Sequence, residues 1–175
     1  MPYTRIMILG VMSDTHGNGN LMHQVAAFMT NHFKADVIYH LGDDYCDALE
    51  LLVAGYNVRR VPGLWCAEYH DAQIPKRLID ECDGITVACA HADKDLRHTE
   101  RAAAVILTGH THSAQIAILG RSLYVNPGHL KNRTSRGRPA SYAIVEITPA
   151  TVNALIVELN GTVRFKDVVE RSRLA

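Results

Sequence analysis

Apolar runs and polar, glycine-containing loops alternate along the first third of the chain. The run over residues 6–12 is nearly all apolar, which indicates a strand buried on both faces, and a shorter run over 37–41 repeats this pattern. Between them, apolar residues at helical spacing predict a helix with one buried face, formed by Leu21, Val25, Phe28 and Met29. Asn20 precedes this face, and we expect it to be the N-cap of the helix.

A second helix and a third strand continue the alternation. Residues 47–54 have apolar side chains at helical spacing, and Gly55 suits the C-terminal cap of this helix. The next apolar run, over 57–61, predicts a strand that ends at Pro62-Gly63. Strands that alternate with helices predict an α/β fold, in which helices cover the faces of a sheet.

Predicted strands dominate the remainder of the chain. Short apolar runs bounded by turn residues predict strands over 77–81, 85–90, 102–107, 114–119, 122–126, 141–147, 152–159 and 162–168. Asp83-Gly84 and Asn160-Gly161 join neighbouring runs and are typical of tight hairpin turns. Residues 131–138 are basic, and we expect them to form a mobile loop.

The composition is that of an ordinary globular protein. The 175 residues approximate one domain, and 47% of them are hydrophobic while 21% are charged. We therefore predict a single domain over residues 1–175. Lys and Arg together number 18, as do Asp and Glu, and this neutral balance predicts neither a nucleic acid nor a membrane as a partner.

The cysteines favour a reducing compartment. All are widely spaced and form no CxxC pattern: Cys46, Cys66, Cys82 and Cys89. We interpret them as reduced thiols. Because the sequence also contains neither a secretion signal nor an apolar run of the roughly 20 residues that a membrane span needs, we expect a cytoplasmic protein. The sequence leaves open whether the chain forms a homo-oligomer.

Candidate metal ligands follow several of the predicted strands. His110 and His112 lie on a turn after the run 102–107, and residues two apart can face the same point. The ends of other apolar runs supply further candidates, namely Asp14, His16, Asp43 and His91. Because ligands in open α/β sheets bind at the carboxyl ends of strands, these side chains are expected to converge. A mixed carboxylate and imidazole set favours Mn²⁺, Fe²⁺, Zn²⁺ or Ni²⁺ over Mg²⁺ or Ca²⁺.

These residues also form a recognisable series of motifs. In chain order they are Asp14-x-His16, Gly42-Asp43, His91, Gly109-His110-x-His112 and Asn126-Pro127-Gly128. The series resembles the calcineurin-like metallophosphoesterases, and within them the small bacterial and archaeal phosphodiesterases. The resemblance implies a four-layer α/β/β/α sandwich with two divalent transition metals in its cleft.

The resemblance also implies a role for each motif. The first metal would be bound by Asp14, His16, Asp43 and His112, and the second by Asp43, His91 and His110, with Asp43 bridging the two. A hydroxide between the metals would attack phosphorus in line, which makes the expected activity that of a metal-dependent phosphodiesterase on a small phosphate ester. Asn18 and Asn126 would donate hydrogen bonds either to the substrate phosphate or to the backbone of the loop.

Two positions depart from the pattern. The family usually has an asparagine ligand of the second metal after the third strand, and this chain has Leu64 there, so the second metal site is expected to be weakened. Asp93 stands where a second histidine follows His91 in the family; it could protonate a leaving group, bind a water or be a surface carboxylate. The sequence assigns no general acid. The departures motivate an alternative function, a binding scaffold that has kept the fold and lost the catalysis.

Overall fold

The computed structural model describes residues 6–175, so the first five residues of the predicted domain lie outside it. In chain order the strands are β1 (Met7–Met12), β2 (Val37–His40), β3 (Val58–Arg60), β4 (Arg77–Cys82), β5 (Ile85–Ala90), β6 (Val105–Thr108), β7 (Gln115–Leu119), β8 (Ser122–Asn126), β9 (Thr134–Ser135), β10 (Arg138–Pro139), β11 (Ser141–Ile147), β12 (Thr151–Glu158) and β13 (Val163–Glu170). The helices are α1 (Gly19–Asn31), α2 (Asp47–Val53) and α3 (His98–Arg101). Every strand predicted above overlaps an observed one.

Two sheets contain most of the strands. The first has the spatial order β13-β12-β11-β1-β2-β3, and the second has the order β4-β5-β6-β8-β7. Strands β1, β2 and β3 are parallel to one another, as are β5, β6 and β8. Parallel strands end at the same edge of a sheet, so each sheet presents a row of loops at its carboxyl edge.

The main core lies between the two sheets. It is formed by alternate residues of both, such as Leu9 and Val11 of β1 and Leu107 of β6, none of which is exposed. Helices α1 and α2 pack on the other face of the first sheet, and the short α3 packs on the other face of the second. The predicted four-layer α/β/β/α sandwich is confirmed.

Local signals predicted one tight turn correctly, and another turn and one cap wrongly. Asn160-Gly161 does not form the expected type I′ turn, because Asn160 lacks a positive φ and the connection between β12 and β13 spans residues 159–162. Asp83 and Gly84 have φ values of 49° and 74°, as expected for a type I′ turn. Gly55, with φ of 90°, follows α2 as expected. The N-cap of α1, however, is Asn18 and not Asn20, because the Asn18 side chain accepts a hydrogen bond of 3.2 Å from the Leu21 amide.

The basic segment over 131–138 is a hairpin and not the loop expected from its composition. Strands β9 and β10 pair antiparallel across a two-residue turn. The turn residues, Arg136 and Gly137, have φ values of 51° and 74°, which is the combination that a type I′ turn requires. Among residues 6–175, no helix is long and apolar enough to span a membrane.

Replacement of Leu107 by alanine is expected to destabilise the fold strongly. Leu107 is fully buried between the sheets, so its truncation leaves a cavity and lowers the free energy of unfolding by about 2–5 kcal/mol. Leu119→Ala is the matched control, because Leu119 is 60% exposed, and its change is expected to stay below about 0.5 kcal/mol. Urea unfolding of both variants measures the difference, and equal losses would contradict the placement of the core.

Candidate metal centre

The predicted ligands lie at the carboxyl edges of the two sheets. Asp14 and His16 follow β1, and Asp43 follows β2, both in the first sheet. The remaining ligands come from the second sheet, where His91 follows β5 and the turn with His110 and His112 follows β6. The sandwich therefore brings together loops that are far apart in sequence.

Unusual backbone conformations orient four of these side chains. Asp14, His16, His110 and His112 have φ values of 56°, 48°, 68° and 58°, in the left-handed region that residues with a side chain seldom occupy. Such conformations cost energy, and they concentrate at functional sites. The two loops also contact each other directly, because the His110 amide donates a 2.9 Å hydrogen bond to Asp14 Oδ2.

Four ligand atoms form one compact cluster. Each of four residues contributes one possible metal-ligand atom, and these atoms all lie within 4.8 Å of one another: Asp14, His16, Asp43 and His112. His16 Nε2 is 2.7 Å from Asp43 Oδ2 and 3.1 Å from His112 Nε2. His112 Nε2 is 3.3 Å from Asp14 Oδ1. This is the set that the family resemblance associates with the first metal.

The three residues expected at the second metal are close but less compact. His91 Nε2 is 3.6 Å from Asp43 Oδ1, and the rings of His91 and His110 are 5.1 Å apart. His91 Nδ1 is 2.7 Å from the Leu41 carbonyl oxygen, which can only accept a hydrogen bond. Nδ1 therefore has a proton, and in the neutral ring the lone pair of Nε2 faces Asp43, as in a metal-ligating histidine.

Buried atoms without partners indicate that a cation suits this place. Asp14 Oδ1, Asp43 Oδ1 and His91 Nε2 are buried, and no described group forms a hydrogen bond with them. Buried polar atoms normally have partners, so atoms that converge without them need an explanation such as an ion. Two carboxylates with imidazole nitrogens are a suitable donor set for a divalent transition metal.

The ionisation of the site suits metal binding. Burial raises the pKa of Asp14, but the imidazole of His112 at 3.3 Å and the positive charge that His91 has when protonated outweigh this effect, so this pKa lies below its ordinary value. Burial, together with repulsion from His91 when that ring is protonated, lowers the pKa of His110. Ionised carboxylates and neutral imidazoles are the forms that coordinate metals.

Two glycines allow the loops to approach closely. A Cβ atom on Gly63 would overlap the backbone of Asp43, and one on Gly109 would overlap the Ser13 hydroxyl. Leu64 follows Gly63 directly, so the position next to Asp43 presents a side chain with no donor atom. The structure thus retains the backbone of the family motif without its asparagine.

A polar network behind the ligands positions the first loop. The Thr15 hydroxyl donates to Asp47 Oδ2 and lies 3.2 Å from His40 Nε2. The Gly17 amide donates to the same Asp47 oxygen at 2.9 Å. His40 is therefore a packed residue behind the site. The role of Asp47 in this network could not be recognised from the sequence, because 32 residues separate it from Thr15.

Both asparagines proposed to contact substrate donate to the protein backbone. Asn18 Nδ2 is 3.0 Å from the Lys131 carbonyl, and Asn126 Nδ2 is 2.9 Å from the Gly109 carbonyl. These contacts favour the alternative in which the two amides position the loops. Asp93 forms an ion pair with Arg101 at 2.9 Å, which favours its interpretation as a surface carboxylate.

His129, to which the sequence analysis assigned no role, packs against the centre. It is fully buried, its ring lies 5.3 Å from that of His112, and its Nε2 is 3.1 Å from the Arg138 carbonyl. The only signal in the sequence is its position directly after Asn126-Pro127-Gly128. It connects the metal-ligand turn to the basic hairpin.

Comparison with known proteins agrees with this geometry. A family model described as the calcineurin-like phosphoesterase superfamily domain matches residues 7–150. No curated protein matches the chain.

Solved structures share the fold over nearly the whole chain. A conserved uncharacterized protein from Streptococcus pneumoniae TIGR4, described as a predicted phosphoesterase, is 23% identical with a TM-score of 0.72, over 95% of this chain and 99% of that one. An archaeal phosphodiesterase is 19% identical with a TM-score of 0.64, over 93% of this chain and all (100%) of that one. Vps29 of Entamoeba histolytica, complexed with Zn²⁺, is 16% identical with a TM-score of 0.65, over 94% and 99%. At these identities the likenesses establish the fold alone.

His40 is expected to make the stability of the metal-free protein depend on pH. Complete burial lowers its pKa from 6.5 to about 4. The unfolded chain therefore takes up this proton first as the pH falls, and the free energy of unfolding drops between pH 6.5 and 4, by on the order of 3 kcal/mol.

The measurement is urea unfolding at several pH values with EDTA present. His40→Gln removes the titrating group, so we expect a lower stability at pH 7.5 but a flatter dependence below pH 6.5. His70→Gln, at an exposed position, is the control and should retain the slope of the unsubstituted protein. An unchanged slope in His40→Gln would contradict the role of burial.

Proposed function

We propose that this chain, which belongs to the calcineurin-like phosphoesterase superfamily, is a metal-dependent phosphodiesterase acting on small phosphate esters. The observation on which the proposal depends is the compact set of Asp14, His16, Asp43 and His112, whose donor atoms lie within 4.8 Å of one another. The similarity to an archaeal phosphodiesterase supports the choice of a diester.

Each ligand in this proposal has a definite task. Asp14, His16, Asp43 and His112 would hold one divalent ion, and Asp43, His91 and His110 would hold a second one more weakly. When bound, such ions activate water and neutralise charge on the phosphate. The Leu41 carbonyl keeps the proton of His91 on Nδ1, so that Nε2 stays available as a ligand.

The neighbouring residues orient these ligands. Asn126 fixes the turn that bears His110 and His112 through hydrogen bonds to Gly109 and Thr111, and its own oxygen accepts from the Gly128 amide. The turn therefore keeps both imidazoles in place before the substrate arrives, which lowers the cost of reorganisation during the reaction. The general acid remains unassigned in this proposal.

Hydrolysis of bis-p-nitrophenyl phosphate with added Mn²⁺ or Ni²⁺ tests the activity. We expect turnover by the metal-loaded protein, and a loss of more than about a hundredfold in Asp43→Asn, because this change removes the charge shared by both sites. Asp71→Asn is the matched control, since Asp71 is exposed and outside the cluster. Absence of turnover with every divalent metal, in protein of demonstrated fold, would overturn the proposal.

Leu64 favours a second candidate, a binding scaffold with weak or no catalysis. The likeness to Vps29 in fold is compatible with it. Metal content separates the two candidates: two ions per chain support the enzyme, and one or none at normal stability supports the scaffold.

Leu64→Asn is expected to strengthen the second metal site. The amide oxygen would supply the ligand atom that leucine lacks, directly after Gly63, which packs against the backbone of Asp43. Calorimetric titration with Mn²⁺ should then resolve a second binding event about tenfold tighter than in the unsubstituted chain. Leu64→Ala is the control, because it removes the leucine without adding a ligand. If both variants bind Mn²⁺ equally, Leu64 does not limit the second site.

A further inference from the structure

The basic hairpin, defined as residues 131–138, is attached to the candidate metal centre at both ends. At its start, the Leu130 amide donates to the carbonyl oxygens of Ser13 and Asp14, at 3.2 and 3.3 Å. At its end, Arg138 Nη1 donates to the carbonyl oxygen of Thr111, the residue between the two histidine ligands. The hairpin is therefore positioned relative to the ligands and does not hang freely in solvent.

Its cations have no anionic partner among residues 6–175. Lys131, Arg133, Arg136 and Arg138 are exposed, and within the described part of the chain none of them forms an ion pair. Some exposed arginines elsewhere do form ion pairs, such as Arg59 with Asp80 at 3.3 Å and Arg101 with Asp93 at 2.9 Å. Four unpaired cations in eight residues leave a strong local positive charge next to the site.

The surrounding sequence strengthens this asymmetry. No acidic residue occurs between Glu100 and Glu146, a stretch that includes the histidine turn as well as the hairpin. The chain as a whole is neutral, so this excess of positive charge is confined to one stretch of the sequence. Anionic groups of a substrate would be attracted to this side of the metal centre.

The arrangement of the cations indicates more than one phosphate. The phosphate that is cleaved belongs at the metals, whereas Arg136 lies on the turn of the hairpin and Arg133 lines a cavity beside Leu21 of α1. One guanidinium group can donate two parallel hydrogen bonds to two oxygens of the same phosphate. Three of the four cations of the hairpin are arginines. The tight type I′ turn already orders the backbone of the hairpin, so less conformational entropy would be lost on binding.

We propose that the basic hairpin binds a second phosphate group of the substrate, so that the preferred substrates are phosphodiesters with an additional phosphate on one of the two esterified groups. The inference rests on the proposed phosphodiesterase function and specifies its substrate class. Arg133 and Arg136 are the specificity residues in this proposal, because neither contacts the ligand turn.

A pair of matched ligands tests the proposal by equilibrium binding. Calorimetry with the Mn²⁺-loaded protein compares thymidine 5′-phosphate with thymidine 3′,5′-bisphosphate, which differ by one phosphate. We expect the bisphosphate to bind about tenfold more tightly and with a steeper dependence on salt. In the R133A/R136A variant this preference should fall to about one. The K166A/R173A variant removes the same charge from exposed positions outside the hairpin and should retain the preference.

A kinetic arm uses two chromogenic diesters, the p-nitrophenyl ester of thymidine 5′-phosphate with and without a 3′-phosphate. The ratio of their kcat/KM values should be about ten in the unsubstituted protein and about one in R133A/R136A. Equal turnover of both esters, or a preference that survives in R133A/R136A, would overturn the inference and leave the proposed function intact. Loss of all turnover with a retained binding preference would instead overturn the proposed function and support the hairpin as a phosphate site.

Discussion

The carboxylate of Asp43 is the group on which the arrangement of the site depends. It lies between two imidazoles from different halves of the sandwich, with His16 Nε2 2.7 Å from one oxygen and His91 Nε2 3.6 Å from the other. His16 follows a strand of the first sheet, and His91 follows a strand of the second. Because His91 directs a lone pair at the carboxylate, a cation at this point would relieve the repulsion and also connect the two sheets.

The sandwich has to support strained loops to maintain this geometry. Asp14, His16, His110 and His112 all occupy the left-handed region of backbone conformation, which is unfavourable for residues with side chains. The largely buried strands β1 and β6 behind these loops, the hydrogen bond from the His110 amide to Asp14, and the network around Asp47 compensate for that cost. The protein alone therefore keeps the four ligand atoms of Asp14, His16, Asp43 and His112 within 4.8 Å of one another.

Net charge is a poor guide to the local electrostatics of this molecule. Equal numbers of acidic and basic residues predicted no polyanionic partner. In the structure, however, a hairpin with four exposed cations contacts the histidine turn through Arg138. A charge has its effect within about a Debye length, roughly 8–10 Å in physiological salt, so its position matters more than the total. Only the folded chain brings the basic hairpin to Thr111, which is 27 residues from Arg138 in sequence.

The sequence by itself determined most of the helices and strands and the identity of the candidate ligands, and the resemblance of its motifs to a known family implied the layered fold. Apolar periodicity and turn residues are local properties, and the strand ends at His91 and His110 could be recognised from them. The tertiary structure alone decided which atoms meet. Asn126 donates a hydrogen bond to the Gly109 carbonyl, and Arg138 of the hairpin donates one to the Thr111 carbonyl. His16 lies against His112, although 96 residues separate them in sequence. These outcomes depend on burial and hydrogen bonding between distant segments, and no local pattern contains that information.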